Sequence, residues 1–224
     1  MSLDPTGSGG PSLIDRLRIE TRDLHEGLER GLDWRGRMKT VDGYRGLLAR
    51  WWGFHAVYEP LIEARSPLPG LRLRGKLHLL ERDLGQLGMA ATDIRVLPRI
   101  QSMALPDDRA GLMGAMYVLE GSTLGGQVIA KYVRLALAGT VASDANAYAY
   151  YEAYGRTRTG PMWRAFLDQL STEAPHASHA DVIAGACRTF ELLRVWLTRD
   201  APSVVTMPMS GHENFPPDAT NVRF

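Results

Sequence analysis

RAGLMGAMYVLEGSTLGGQVIAKYVRLALA, residues Arg109–Ala138, is the stretch on which the fold turns. Asp107 or Asp108 in front of it offers an N-cap, and Gly139 behind it offers a stop, so both ends carry helix signals. Yet its interior holds Gly111, Gly114, Gly121, Gly125 and Gly126. Each costs about 0.5–1 kcal/mol against alanine inside a helix, a sum that a chain selected for stability alone would recover. Gly121 and Gly125 stand one turn apart and Gly126 adjoins them, which leaves a stripe of bare backbone. Three readings fit it: close packing of a second helix, a bend, or close approach of something flat or bulky. The hydroxyls and amide of Ser122, Thr123 and Gln127 favour a polar pocket with ordered water.

Outward from this helix the pattern stays helical. Ser12 caps a helix to about Arg30, with Leu13, Leu17, Leu24 and Leu28 as its apolar stripe and Gly31 as its stop. Thr40 opens a longer helix to about Ala64, with a broad apolar face and Pro60 as the place for a kink. Leu73, Leu77, Leu80 and Leu84 mark a third helix, and a short one falls between Asp93 and Met103. Downstream come a Tyr-rich helix from Ser143 to Tyr154, one from Met162 to Leu170, and one from His179 to Arg199. No segment alternates with β-branched enrichment, and no repeat or low-complexity tract occurs. The expected architecture is all-α, a single-domain bundle of about seven or eight helices over residues 12–200. Residues 1–11 read as a flexible leader and 201–224 as a loosely attached tail.

Composition narrows the function classes. A chain of 224 residues can bury about 70 % of its unfolded surface, enough for one core. A net charge of +1 argues against nucleic-acid tracking and polybasic membrane binding. With Cys187 the sole cysteine, an intrachain disulfide, a C-x-x-C redox site and a thiolate zinc cluster are all excluded. The expected setting is cytoplasmic, with no membrane span and no signal peptide.

His25 shares a face of the first helix with Ile14, Arg18 and Arg22, at helical spacings, and Glu29 follows one turn later. A carboxylate there could accept the Nδ1–H and leave Nε2 for a metal. Two guanidiniums on that side suit bidentate pairing with carboxylates. A haem (heme) makes these demands together, while ordinary i,i+4 ion pairing of a partly exposed histidine remains the plain alternative. His55 and His78 have no convergent ligand in the sequence. Glu173 with His176 and His179 supplies a single E-x-x-H spacing, too little for a di-iron site.

Three segments, LRIETRDLHEGLE (Leu17–Glu29), YVLEGSTLGGQVIAKYV (Tyr117–Val133) and YGRTRTGPMWRAF (Tyr154–Phe166), occur in the order found in haem oxygenases. Over residues 13–199 the chain resembles that family, particularly the bacterial, bacteriophytochrome-associated branch. The resemblance implies that His25 ligates the haem iron with Glu29 behind it. Arg18 and Arg22 would take the propionates, completed by Tyr117 and Arg164. Gly121, Gly125 and Gly126 would form a bent distal helix close over the iron, with Ser122 among the residues on the oxygen side. It further implies that haem is both cofactor and substrate, cleaved with O2 to biliverdin, carbon monoxide and ferrous iron. Electrons would come from an external reductase or ferredoxin, and a bacteriophytochrome could receive the product. Many members have an aspartate directly after the glycine matched to Gly121; here it is Ser122, which puts the distal proton relay in question. The competing readings are a haem or tetrapyrrole carrier of the same fold and a haem-free bundle related to thiamin-processing proteins. The latter's nucleophilic cysteine is not evident, since Cys187 falls within the apolar pattern of the last helix.

Overall fold

The computed structural model describes residues 10–65, 67–68, 75–101, 104–140 and 146–198. Its regular structure is helical, with no strand among the described residues. In chain order the helices are α1 (Leu13–Glu20), α2 (Arg22–Leu32), α3 (Trp34–Arg37), α4 (Val41–Arg65) and α5 (Leu77–Gln86). They continue as α6 (Ala91–Arg95), α7 (Arg109–Ala136), α8 (Ala149–Glu152), α9 (Thr159–Glu173) and α10 (His179–Thr198).

The caps explain the main boundaries. The Ser12 side chain accepts from Asp15 N at the start of α1, and Asp108 Oδ1 accepts from Gly111 N, 2.8 Å, at the start of α7. The single helix expected over residues 12–30 is divided at Thr21. This buried, β-branched residue turns its hydroxyl back onto Leu17 O, 2.7 Å, a bond that competes with regular helix geometry. Gly31 does not stop the second half. It ends at Asp33, which adopts a left-handed conformation (φ 40°) and caps α3 by accepting from Gly36 N. Thr40 does open α4, accepting from Gly43 N at 3.1 Å, and the helix continues through Pro60.

Elsewhere the boundaries shift. The short helix expected between Asp93 and Met103 forms earlier, as α6. The Tyr-rich helix is a single turn, α8, and α9 is longer than expected at both ends. Leu73, Met103, Ser143 and Arg199 lie outside the described residues, as do residues 1–9 and the whole stretch expected as a tail.

α7 packs most extensively against α10, and the glycines show why. A Cβ on Gly114 would collide with the backbone of Val182, Gly185 and Ala186, and one on Gly185 with the backbone of Gly111. In the first half of α7, Gly114 therefore serves close helix contact, while a Cβ on Gly111 would meet Pro106 and the Asp108 cap. Leu112, Met113, Val182, Ile183 and Ala186 fill the surrounding core. Each such large apolar side chain contributes about 1.5–3 kcal/mol when fully buried. Cys187 is half-buried at the edge of that core, its thiol near the Glu20 carbonyl.

Candidate functional site

The second half of α7 behaves differently. Gly125 has no atom within 4 Å of the position a Cβ would take, among the described residues, and a Cβ on Gly121 would touch only the Trp163 ring, at 3.4 Å. Both open onto a cleft of about 410 Å³ whose opposite wall is α2. None of the residues of α2 is buried. Its leucines are half-buried: they pack against the edge of the core, and Leu28 and Leu32 also line the cleft. An amphipathic helix whose apolar face is covered only in part leaves packing surface for something in the cleft.

His25, Arg18, Arg22 and Glu29 line this cleft from the α1–α2 side, and Tyr117, Gly121, Ser122 and Gly125 from α7. Two expected members are elsewhere. A Cβ on Gly126 would meet the Tyr151 carbonyl oxygen at 2.5 Å, so its missing side chain serves contact with the α8 segment. Arg164 is exposed on α9, and its neighbour Trp163 is the residue that enters the cleft. Helical spacing carried that signal: Thr159, Trp163, Phe166 and Leu170 form one face, and Arg164 lies about 100° around from it. Phe190 and Leu193 of α10, with Trp34 and Trp51, complete apolar walls that the motifs did not mark.

The His25 imidazole is half-exposed, packs edge-on to Phe190, and has its Nε2 3.8 Å from Glu29 Oε1. This differs from the expectation that Glu29 would hold Nδ1. At 3.8 Å the two side chains are in contact but too far apart for a hydrogen bond. A turn about the Cβ–Cγ bond exchanges the ring edges, and a half-exposed side chain makes that turn at small cost. Arg18 stands 3.5 Å from Asp15. Burial raises the Tyr117 phenol above its ordinary pKa, against the charge of Arg18 and a hydrogen bond with Thr21. The Ser122 hydroxyl donates to Leu119 O at 2.8 Å, and Thr123 donates to Glu120 O at 2.6 Å.

These residues fit a flat, largely apolar ligand with anionic groups at one edge. The unfilled α2 face and the bare backbone at Gly125 suit a planar ring, and the guanidiniums of Arg18 and Arg22 suit carboxylates. His25 is the one side chain in the cleft of a type that binds haem iron through nitrogen.

Comparison with known proteins agrees with the helical bundle. The family model described as Heme oxygenase matches residues 11–199, so the chain belongs to the haem oxygenase family. A protein of Xanthomonas campestris pv. campestris (strain 8004) described as Heme oxygenase is 36 % identical over 115 residues. That match spans 49 % of this chain and 65 % of the relative's length. The fold is similar to that of the heme oxygenase from Leptospira interrogans, with a TM-score of 0.64 and 18 % identity, covering 84 % of this chain and 99 % of that one. It is equally similar to the NO- and CO-bound heme oxygenase from Neisseria meningitidis, with a TM-score of 0.64 and 22 % identity, covering 87 % and 98 %. No helix of the described residues is long and apolar enough to cross a membrane.

Proposed function

We propose that this protein binds haem in the α2–α7 cleft and cleaves it with O2 to biliverdin, carbon monoxide and ferrous iron. The observation that carries the reading is the meeting of His25 and the unobstructed Gly125 backbone on one cleft, with Arg18 and Arg22 at its edge. Bound haem supplies both the iron that activates oxygen and the porphyrin carbon that is oxidised. His25 would hold the iron through a ring nitrogen, without the electron push of a thiolate. Arg18 and Arg22 orient the propionates. Leu28, Leu32, Trp163 and Phe190 exclude water from the ring faces, and Gly125 lets the α7 backbone approach where a side chain would block it. Electrons come from an external reductase or ferredoxin, the setting is the cytoplasm, and a bacteriophytochrome is the proposed recipient of the product.

Haemin titration followed by reduction in air tests this reading. Loss of the Soret band with growth of biliverdin absorption is expected, and His25→Ala should abolish it while the helical far-UV spectrum persists. Turnover surviving in His25→Ala without added imidazole would overturn the assignment. One observation favours the carrier reading: the Ser122 proton is committed to Leu119 O, so that hydroxyl is not a ready acid. A Soret band unchanged under reduction in air would establish the carrier.

A further inference from the structure

Several tyrosines are buried in this core, and one of them is partnered unlike its neighbours. Tyr44 donates its hydroxyl to the Ala147 carbonyl oxygen at 2.6 Å, and a backbone carbonyl is no base. Tyr150 is buried too, but its hydroxyl lies 3.2 Å from His55 Nε2, while His55 Nδ1 lies 2.9 Å from Glu59 Oε1. These three side chains form a Tyr–His–Glu chain, and none of them lines the cleft.

The proton positions follow from the partners. Burial alone would raise the Glu59 carboxyl, but its bonds with His55 and with the N–H groups of Lys76 and Leu77 hold it below the usual range. It is therefore an anion, which only accepts, so the His55 proton sits on Nδ1. Burial also lowers the His55 pKa and keeps the ring neutral. Nε2 is then an acceptor, and the Tyr150 O–H donates to it. Burial pushes the Tyr150 phenol well above its ordinary range, so it does not ionise by itself. Losing an electron changes this, because an oxidised phenol is a strong acid. The base that takes the proton is already in place, and the imidazolium it forms faces the Glu59 carboxylate. Glu120 also favours that cation and Lys76 opposes it, with the contact to Glu59 the larger influence.

Aromatic contact joins this chain to the cleft. Trp51 lines the cleft, and its ring centroid is 5.7 Å from that of Tyr150. Its indole N–H, though near the Tyr151 hydroxyl, makes no hydrogen bond of normal geometry among the described residues. An oxidised Trp51 thus has no base beside it, keeps its proton and remains a strong oxidant. Tyr150 has its base, so an electron vacancy on Trp51 moves inward to Tyr150.

We propose that Tyr150, with His55 as its base and Trp51 as its link to the cleft, is a redox-active tyrosine that discharges over-oxidised haem. This rests on the haem reading above for its oxidant, and on the Tyr–His–Glu chain and the Trp51 contact for its geometry. The oxidant is haem that has reacted with a peroxide, a by-product wherever haem, O2 and electrons meet. The oxidised haem gains one electron from Trp51, and Trp51 regains one from Tyr150. The Tyr150 O–H bond breaks, its proton bonds to His55 Nε2, and a neutral phenoxyl radical remains. Haem is reduced by one electron and Tyr150 oxidised by one. A one-electron reductant of the ascorbate class restores the phenol, with the proton returned by His55. The oxidising equivalent is thereby drawn away from the side chains of the cleft.

Electron paramagnetic resonance tests this on the full chain, loaded with haemin, mixed with hydrogen peroxide and rapidly frozen. A tyrosyl radical is expected, recognised by the narrowing of its signal when the protein carries ring-deuterated tyrosine. Tyr150→Phe should lose that signal and accumulate oxidised Trp51 in peptide maps, while haemin affinity stays unchanged. Tyr44→Phe should retain the signal, and so should Tyr154→Phe, whose hydroxyl also has a base, donating to Glu120 at 3.2 Å. His55→Gln keeps a hydrogen-bond partner but removes the base, and should lose the long-lived radical. A tyrosyl signal that persists in Tyr150→Phe or in His55→Gln overturns the proposal, as does a haemin-loaded chain that forms no protein radical. Haemin titration precedes these measurements: if the Soret band does not shift on mixing, the haem reading itself fails and the proposal falls with it.

Discussion

Gly125 and Gly126 are sequence neighbours with opposite surroundings, so alanine at each should have opposite consequences. A Cβ at Gly126 would stand 2.5 Å from the Tyr151 carbonyl oxygen, where ordinary contact begins at 3.4 Å, so α7 and the α8 segment must part by about 0.9 Å. The obstacle is backbone and cannot turn aside. Overpacking of this kind costs about 1–3 kcal/mol, against which alanine's better helix propensity returns roughly 0.5–1 kcal/mol. Gly126→Ala should therefore lose about 1–2 kcal/mol, lowering Tm by about 3–6 °C in a chain of this size. Gly125→Ala meets open space and keeps only the propensity gain, so the haem-free protein should melt about 2–3 °C higher. The same methyl, however, projects into the cleft and should weaken haemin binding about tenfold or more. Thermal unfolding of both variants without ligand, with haemin titration alongside, decides the matter. A destabilised Gly125→Ala with normal haemin affinity, or a neutral Gly126→Ala, would refute this assignment of the faces of α7.

Arg22→Glu should weaken or re-seat haem by placing a like charge beside the propionates, seen as lower affinity or a changed biliverdin isomer ratio. Arg164→Ala, exposed and outside the cleft, should leave both unchanged. Asp83 accepts from Ala149 N and Tyr150 N at the start of α8, and burial raises its carboxyl from 3.8 to about 6 against the pull of those two bonds. The native carboxyl thus holds a proton that the unfolded chain has already lost between about pH 4 and pH 6, and stability falls as pH rises through that window. A separation of about two pH units sets an upper bound on the order of 3 kcal/mol. Denaturant midpoints for wild type and Asp83→Asn across this range should converge or cross, with wild type gaining relative stability toward acid; parallel curves would sink the attribution.

How much of this was legible in the sequence follows from the range of each interaction. Capping is local, so Ser12, Thr40 and Asp108 could be read directly, and α7 and α10 start where their signals stand. Thr21 shows the limit. Its back-bond to Leu17 is just as local, but a threonine inside an amphipathic run gives no sign of which rotamer it will take. The cleft residues of α2 and α7 were legible because each set repeats at helical spacing along a single element. The tautomer of His55 was not, because it depends on Glu59, Lys76, Leu77 and Tyr150, drawn from three helices and the residue before one of them.

The glycines of α7 carry the argument furthest, because one composition signal proves to have several causes. Gly114 admits α10, Gly111 makes room for Pro106 and the Asp108 cap, Gly126 admits the α8 backbone, and Gly121 and Gly125 face the cleft. Of the last pair, Gly121 meets the Trp163 ring and only Gly125 has no neighbour among the described residues. Packing against protein already accounts for the cost of the others in helix propensity, so their presence is no evidence for a ligand. Gly125 has no such return among the described residues, and the opposing α2 keeps its leucines only half-buried, with Leu28 and Leu32 lining the same gap. Two elements that each forgo stability toward a shared space indicate that the space belongs to something the chain binds. His25 in its wall and the two arginines at its edge then narrow the occupant to one with an affinity for imidazole and anionic groups on one side.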